Sequence, residues 1–339
     1  MVMPLPKGIL QPMEHGRSLH VLHSVLDPRS IAEFVEDQYP FGTVDSCTLI
    51  RSFVNEVYRL QMHDGGAYIF KVYRQDWRNE PDVAWEVHVQ RHLMASGIVV
   101  SEPLPLRDAS YVVGLDTPEG RRAGVLLARL AGNKPVHPFT DDLYFRHGES
   151  LAAFHTALDV FPLAENARNF DASFLIDRSA GIILDSPGTS LSDLHRATLR
   201  KVADKLQDRL QAYDPRADWG ICHGDATMDN VHVLPDGRHA FFDFDLAGHS
   251  WRVLDLSTIY LWARREDRAR TFWPAFLDGY RSRRDFSESD VALLPVMAAA
   301  WEMWDIGHEL ERWRRWSGSW HMTAAQLHER IELLGYWDD

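Results

Sequence analysis

The chain has 339 residues, 45% of them hydrophobic and 25% charged, which excludes wholesale disorder and leaves room for about two domains. Two cysteines, Cys47 and Cys222, lie far apart without CxxC spacing; that excludes a disulfide scaffold and a thiolate zinc site and suits a reducing compartment. Thirty-six Lys+Arg against 49 Asp+Glu leave a net charge of −13, which argues against a nucleic-acid partner and tolerates a cationic substrate.

Residues 1–20 hold three prolines and little periodicity, and read as a tail. Ser30 with Glu33 three residues later opens a capped helix that ends before Pro40 and Gly42. Strand patterns follow at Cys47–Arg51, Glu56–Met62 and Ala67–Tyr73, the last two joined by the Gly-rich turn His63–Gly66. A helix is predicted over Asp82–Ala95, then strands over Val99–Leu106, Tyr111–Leu115 and Ala123–Leu130. Beyond the turn-rich link Ala131–Pro135, helical periodicity covers Asp141–Leu158, Ser190–Tyr213, Arg252–Arg265, Thr271–Tyr280, Glu288–Trp313 and Thr323–Leu334. One β island, Trp219–Asp243, interrupts these helices. The pattern predicts an α+β chain with a tail (1–20), a small antiparallel β lobe (21–130) and a larger, mainly helical lobe (131–339). The longest apolar run, near Val291–Trp301, is about half a membrane span and contains Pro295, and the first twenty residues show no secretory pattern. A cytoplasmic protein without a membrane partner is expected; oligomeric state is left open.

The β island carries the chemistry. It reads His223-Gly224-Asp225-Ala226-Thr227-Met228-Asp229-Asn230, then two short runs joined by Pro235-Asp236-Gly237, then Asp243-Phe244-Asp245. Pro-Asp-Gly between β-branched or aromatic runs is a hairpin turn. Its arms have nearly equal length, so Asp243 returns beside Asn230, and two oxygen ligands converge in a way that suits Mg²⁺ on a phosphate chain. Asp225, entering the hairpin, can orient or deprotonate an attacking hydroxyl. Singly these residues are ordinary turn formers; it is the set at this spacing that signals a site.

His223-x-Asp225-x4-Asn230 followed by Asp243-Phe244-Asp245 resembles the catalytic loop and metal motif of the protein-kinase-like fold. The His-Gly-Asp form most resembles the aminoglycoside phosphotransferase superfamily, which includes choline kinases, a bacterial homoserine kinase type and a stress-response kinase. The resemblance implies a bilobal kinase-like fold that uses ATP or GTP with Mg²⁺. It implies that Asp225 is the catalytic aspartate, that His223 supports its loop, and that Asn230 and Asp243 hold the metal. Asp255, opening the next helix, is expected to be structural. In the first lobe Lys71, one of only five lysines beside 31 arginines, resembles the strand lysine that contacts nucleotide phosphates. Glu86 is its expected ion-pair partner, with Glu80 as an alternative. Backbone groups near Ala128 and Leu130 would meet adenine.

Two departures from the pattern matter. No GxGxxG joins the first two strands; Arg51–Asn55 occupies that turn, and Ser52 with backbone amides would reach phosphate instead. Few residues separate Asp245 from the helix near Arg252, which leaves no long activation segment and favours a small-molecule hydroxyl acceptor over a protein. Acceptors in range are aminoglycoside or nucleoside antibiotics, sugars, homoserine and choline-like alcohols. The alternatives are a metal-dependent hydrolase built on His223, Asp225, His232 and Asp243, a stress-response-type Ser/Thr protein kinase, or a nucleotide-binding regulator without catalysis. Nine of the twelve tryptophans lie in the last third. Trp301, Trp304, Asp305 and His308 share one helical face, for which helix packing is the simpler reading and an aromatic, acidic acceptor wall the other. Trp313-Arg314-Arg315-Trp316 reads as a solvated helix end.

Overall fold

The computed structural model describes residues 19–162, 167–213, 218–265, 271–313 and 322–337. Most of the expected tail and the stretch from Arg314 through Trp316 to Trp320 lie outside them. The first lobe is a five-stranded antiparallel sheet in the order β1-β2-β3-β5-β4, formed by β1 (Val44–Ser52), β2 (Glu56–Met62), β3 (Ala67–Val72), β4 (Val112–Thr117) and β5 (Gly120–Ala128). Alternation along these strands gives the sheet two apolar faces. Phe70, Val72 and Leu126 join Tyr58 and Leu60 under helix α1 (Pro28–Gln38). Tyr73, Ala123, Val125 and Leu127 face helix α2 (Glu80–Ala95). Lys71 lies opposite Val125 in the β3–β5 register and shares this second face, so a single cation enters an otherwise apolar layer. A reciprocal Asn79–Asp82 capping box and Pro81 start α2.

Val99–Leu106, predicted as a strand, forms only isolated bridges at Val100 and Pro103. Pro103 and Pro105 deny it the donors a ladder needs. It still runs beside the end of β5, where Leu104 N–H donates to Leu126 O and Ala128 N–H to Glu102 O.

The second lobe contains α3 (Asp141–Ala157), α4 (Ser179–Asp185), α5 (Asp193–Gln211), α6 (Val253–Arg265), α7 (Phe272–Arg281), α8 (Glu288–His308) and α9 (Ala324–Leu334). Helix α4, with the π-helical turn Ser173–Arg178 before it, lies in a stretch that shows no clear periodicity in sequence. The β island resolves into two ribbons: β6 (Trp219–Cys222) pairs with β9 (Gly248–Trp251), and β7 (Val231–Val233) with β8 (His239–Phe241). One apolar core holds both ribbons to the helices through Phe154, Phe241, Phe244, Leu254 and Met297. No helix among the described residues is long and apolar enough to cross a membrane.

Candidate active site

The hairpin forms in the expected register. Val231 faces Phe241, and Phe242 N–H donates to Asn230 O at 3.1 Å, which sets Asp243 beside Asn230. Asp243 has φ +66°, a left-handed conformation that Asp tolerates better than most residues and that aims its carboxylate at the cleft. Asn230 Nδ2 donates to Asp225 Oδ2 at 2.7 Å and to its main-chain oxygen at 3.0 Å. Thr227 Oγ1 adds a bond of 3.3 Å to Oδ1. Burial, reinforced by the Asp243 charge, pushes Asp225 up to about 7 against these hydrogen bonds.

The loop bearing Asp225 is fixed from below. Asp255, wholly buried at the start of α6, accepts the main-chain N–H of His223 and Gly224, each at 2.7 Å, and faces His155 Nε2 at 3.0 Å. Burial alone would favour its neutral form, but these donors hold its carboxyl below the ordinary range. Gly224 has φ +81°, and a Cβ there would lie 2.0 Å from Leu246 O, so no other residue fits. His223 Nε2 donates to Phe242 O at 3.1 Å while its Nδ1 accepts Asp225 N–H at 3.3 Å. With both ring nitrogens engaged, and burial lowering its pKa, His223 is a neutral brace between loop and hairpin.

Lys71 crosses from the first lobe to this site. Its Nζ donates to Asp243 Oδ1 at 2.7 Å and to Asp245 Oδ1. Burial works against the ammonium, but the two carboxylates raise its pKa well above the usual value. Burial likewise opposes ionisation of Asp243, and Lys71 overcomes it, holding Asp243 below the ordinary carboxyl range. The expected Lys71–Glu86 pair is not formed. Glu86 accepts from Tyr73 Oη at 2.8 Å, and burial pushes it up to about 7. Glu80 pairs with exposed Arg121. The two aspartates outcompete Glu86 because both reach the cleft side of Lys71.

Two further expectations change. Ser52 is exposed and outside the cleft lining, whereas Arg51, Phe53, Val54 and Asn55 line it. The Ala128 amide already donates to Glu102 O at 2.8 Å, so it is not open to a purine edge; Leu130 lies past the end of β5. His232 turns its Nδ1 to Ala131 O at 3.2 Å, outside the cleft lining. With His223 also engaged, the ligand set of the hydrolase alternative is not assembled.

The cleft, about 270 Å³, holds Lys71, Asp225, Asp243 and Asp245 on one side and Trp301, Glu302, Trp304, Asp305 and His308 of α8 on the other. Trp301 and Trp304 also pack on Phe170, so they serve both readings of that helical face. Residues the sequence did not single out complete the site. Asn55 Nδ2 and Trp77 Nε1, the latter at 3.1 Å, donate to Asp245 Oδ2, and Arg78 donates to its main-chain oxygen. Arg330 of α9 binds Glu302 at 2.8 Å, Asp305 at 2.6 Å and Glu309 at 2.9 Å. These are long-range contacts that no local spacing announces.

Residues 46–294 match the model of the phosphotransferase enzyme family, APH. The chain belongs to that family. It is a kinase-like phosphotransferase that acts on a hydroxyl group of a small molecule. An uncharacterized protein of Deinococcus radiodurans is 34% identical over 86% of this chain and 84% of its own length. A homoserine kinase of Allorhizobium ampelinum is 28% identical over 68% of this chain and 70% of its own. Among solved structures, the amicoumacin kinase hAmiN in complex with AMP-PNP, Ca²⁺ and Ami superposes with a TM-score of 0.74 at 19% identity, covering 91% of this chain and 93% of that one. Only the short stretch with the turn Phe244–Leu246 and β9 separates Asp243 from α6, so no long segment intervenes there.

Proposed function

We propose that the chain transfers the γ-phosphate of ATP or GTP, bound with Mg²⁺, to the hydroxyl of a small amino alcohol. The observation that carries this reading is one cleft holding both Asp225 and the aromatic, acidic face of α8. Asp225 would accept the acceptor O–H, orient its oxygen, and take the proton as the new O–P bond forms and the bond from the γ-phosphorus to the β,γ-bridging oxygen breaks, ADP or GDP leaving; a carboxyl near 7 is matched to that task. Asn230 Oδ1 and the Asp243 carboxylate are oxygen donors of the kind a hard divalent cation requires. Lys71 Nζ, steered by Asp243 and Asp245, meets the nucleotide phosphates. The nucleotide and cation supply the transferable phosphoryl group and neutralise its charge. His223 and Asp255 position the loop without touching the acceptor.

The acceptor class follows from α8. Trp301 and Trp304, packed on one another, line the cleft together with Glu302 and Asp305, which share the guanidinium of Arg330 with Glu309 behind them. Such a wall favours an ammonium group over a neutral or anionic one. The homoserine kinase relative is consistent with an acceptor carrying both amine and hydroxyl. Acceptor-dependent ADP formation, measured for homoserine, other amino alcohols and aminoglycosides against their deaminated counterparts, tests the proposal. Turnover should require the amine. Equal turnover of deaminated alcohols would remove the cationic acceptor, and phosphate release from ATP with no acceptor would remove the kinase reading.

A further inference from the structure

Trp77, in the connection between β3 and α2, belongs to the first lobe but lines the cleft beside the face that α8 provides. It is 9% exposed, and the guanidiniums of Arg78 and Arg168 lie over its ring at 4.1 and 5.1 Å. A bulky indole packed this closely has little freedom to turn. Its Nε1–H donates to Asp245 Oδ2 at 3.1 Å, on the carboxylate whose other oxygen takes Lys71. Its ring packs on His308, with centroids 5.0 Å apart. His308 in turn stacks on Trp304, 4.9 Å away and within 6° of parallel, and Trp304 packs on Trp301 at 4.3 Å. A continuous line of contacts thus runs from the carboxylate that steers Lys71 to the indoles of the α8 face. A second tie holds the same segment there. Arg312, in the π-helical turn Glu309–Trp313 after α8, donates to Asp76 O and pairs with the Asp76 carboxylate at 3.7 Å.

This arrangement bears on the reaction because phosphoryl transfer is largely a matter of position. A misplacement of about 1 Å between the reacting atoms costs about 10²-fold in rate. Lys71 stands on β3 of the first lobe and Trp304 on α8 of the second, so the distance from phosphate to acceptor is an interlobe distance. A buried ring with one directed hydrogen bond fixes such a distance, whereas exposed ion pairs rearrange at little cost.

We propose that Trp77 is a positioning residue: it sets the acceptor face of α8 against the phosphate end of the cleft and passes nucleotide occupancy to that face. Given the nucleotide reading above, on which this rests, Lys71 turns toward the phosphates and Asp245 gives up part of its cation. The Asp245 carboxylate then leans on its remaining side-chain donors, Asn55 and Trp77. The indole follows it, and His308 and Trp304 move with the ring they pack on. By linkage, whatever factor the nucleotide contributes to acceptor binding, the acceptor contributes to nucleotide binding.

Indole ¹H–¹⁵N spectra of the full chain, titrated with Mg²⁺ and AMP-PNP or its guanine counterpart, test this, with calorimetry reporting nucleotide binding itself. The Trp304 resonance, assigned by its loss in Trp304→Phe, should shift along the same binding curve as that of Trp77. Trp77→Phe keeps a ring against His308 but removes the N–H from Asp245. It should bind nucleotide within about fivefold of the unaltered chain, the worth of one hydrogen bond, yet lose most of the Trp304 shift. A merely structural role for Trp77 would lower Tm and leave the Trp304 shift at saturation unchanged. Should Trp77→Phe fail to fold, His308→Leu cuts the line at its next joint and should have the same effect. A Trp304 resonance that stays still while nucleotide binds, or that shifts fully in the folded variant, would overturn the role given to Trp77. Neither heat nor any shift with either nucleotide would instead overturn the nucleotide reading, and this inference with it.

Discussion

Asp225 sits where burial and the charge of Asp243 favour its protonated form, with a pKa near 7, while its proposed task needs the carboxylate. Turnover should therefore rise with pH through about 7 and level off above it, as a kcat profile at saturating substrate will show. Asp225→Asn should lower kcat by about 10²- to 10⁴-fold and leave nucleotide affinity near wild type. The same change should stabilise the fold. A carboxyl raised on folding contributes stability below its unfolded range and loses it as pH rises through the folded value. The Tm advantage of Asp225→Asn should then be larger at pH 8 than at pH 5. Lys71 is the second test at this scale. Its compact ammonium is buried between two carboxylates, and a planar guanidinium does not fit that space. Steady-state kinetics should find Lys71→Arg nearly as impaired in kcat/KM as Lys71→Ala; an active arginine variant would show that the site needs a cation there but not a compact ammonium.

At the scale of elements, the catalytic loop is held by its neighbours. The first residues of α6 hold it through Asp255, the hairpin holds it through His223, and α3 contributes His155. Asp255→Asn puts an amide N–H where a buried donor now points, and should cost about 2–3 kcal/mol. A urea midpoint that falls with m unchanged would locate the loss in the native state. Because the loop moves with it, kcat should fall more than nucleotide affinity. An Asn variant as stable as wild type would show that the loop is held by packing alone.

Over the whole molecule, Asp245 ties the lobes together. It receives Lys71 from β3, Asn55 from the β1–β2 turn, and Trp77 with Arg78 from the segment before α2. Stability against pH also belongs to this scale, since opposing groups must be weighed. Among the described residues eight histidines are lowered by burial: His23, His147, His155, His223, His232, His239, His249 and His308. Four carboxyls, Glu86, Asp225, Asp245 and Glu309, are raised by burial. A lowered histidine takes up its proton on unfolding, so stability is lost as pH falls below about 6.5; a raised carboxyl has the opposite slope between about 4 and 7. The histidines are twice as many, and they alone oppose the carboxyls in this window, since lowered Asp243 and Asp255 lose stability only below about 4. Denaturant midpoints should therefore fall steadily from pH 7 to pH 5. A midpoint that rises over that range would show the buried carboxyls dominating.

The sequence by itself determined the order of a β lobe before a helical one, the hairpin register that sets Asp243 beside Asn230, and the loop entered by His223-Gly224-Asp225. These are local matters: strand alternation, turn chemistry and a glycine that must adopt positive φ. It also marked Lys71 as an isolated cation on an apolar strand, without saying what it meets. Tertiary structure decided that, giving Lys71 to Asp243 and Asp245 and leaving Glu86 to Tyr73. It also turned Ser52 outward, covered the Ala128 amide with the proline-bearing segment before β4, and brought Trp77 and Arg330 to the site from distant elements. The reason is physical. Which of two carboxylates reaches a buried ammonium depends on distances of a few ångströms between elements far apart in the chain, and no spacing along one strand or helix encodes them.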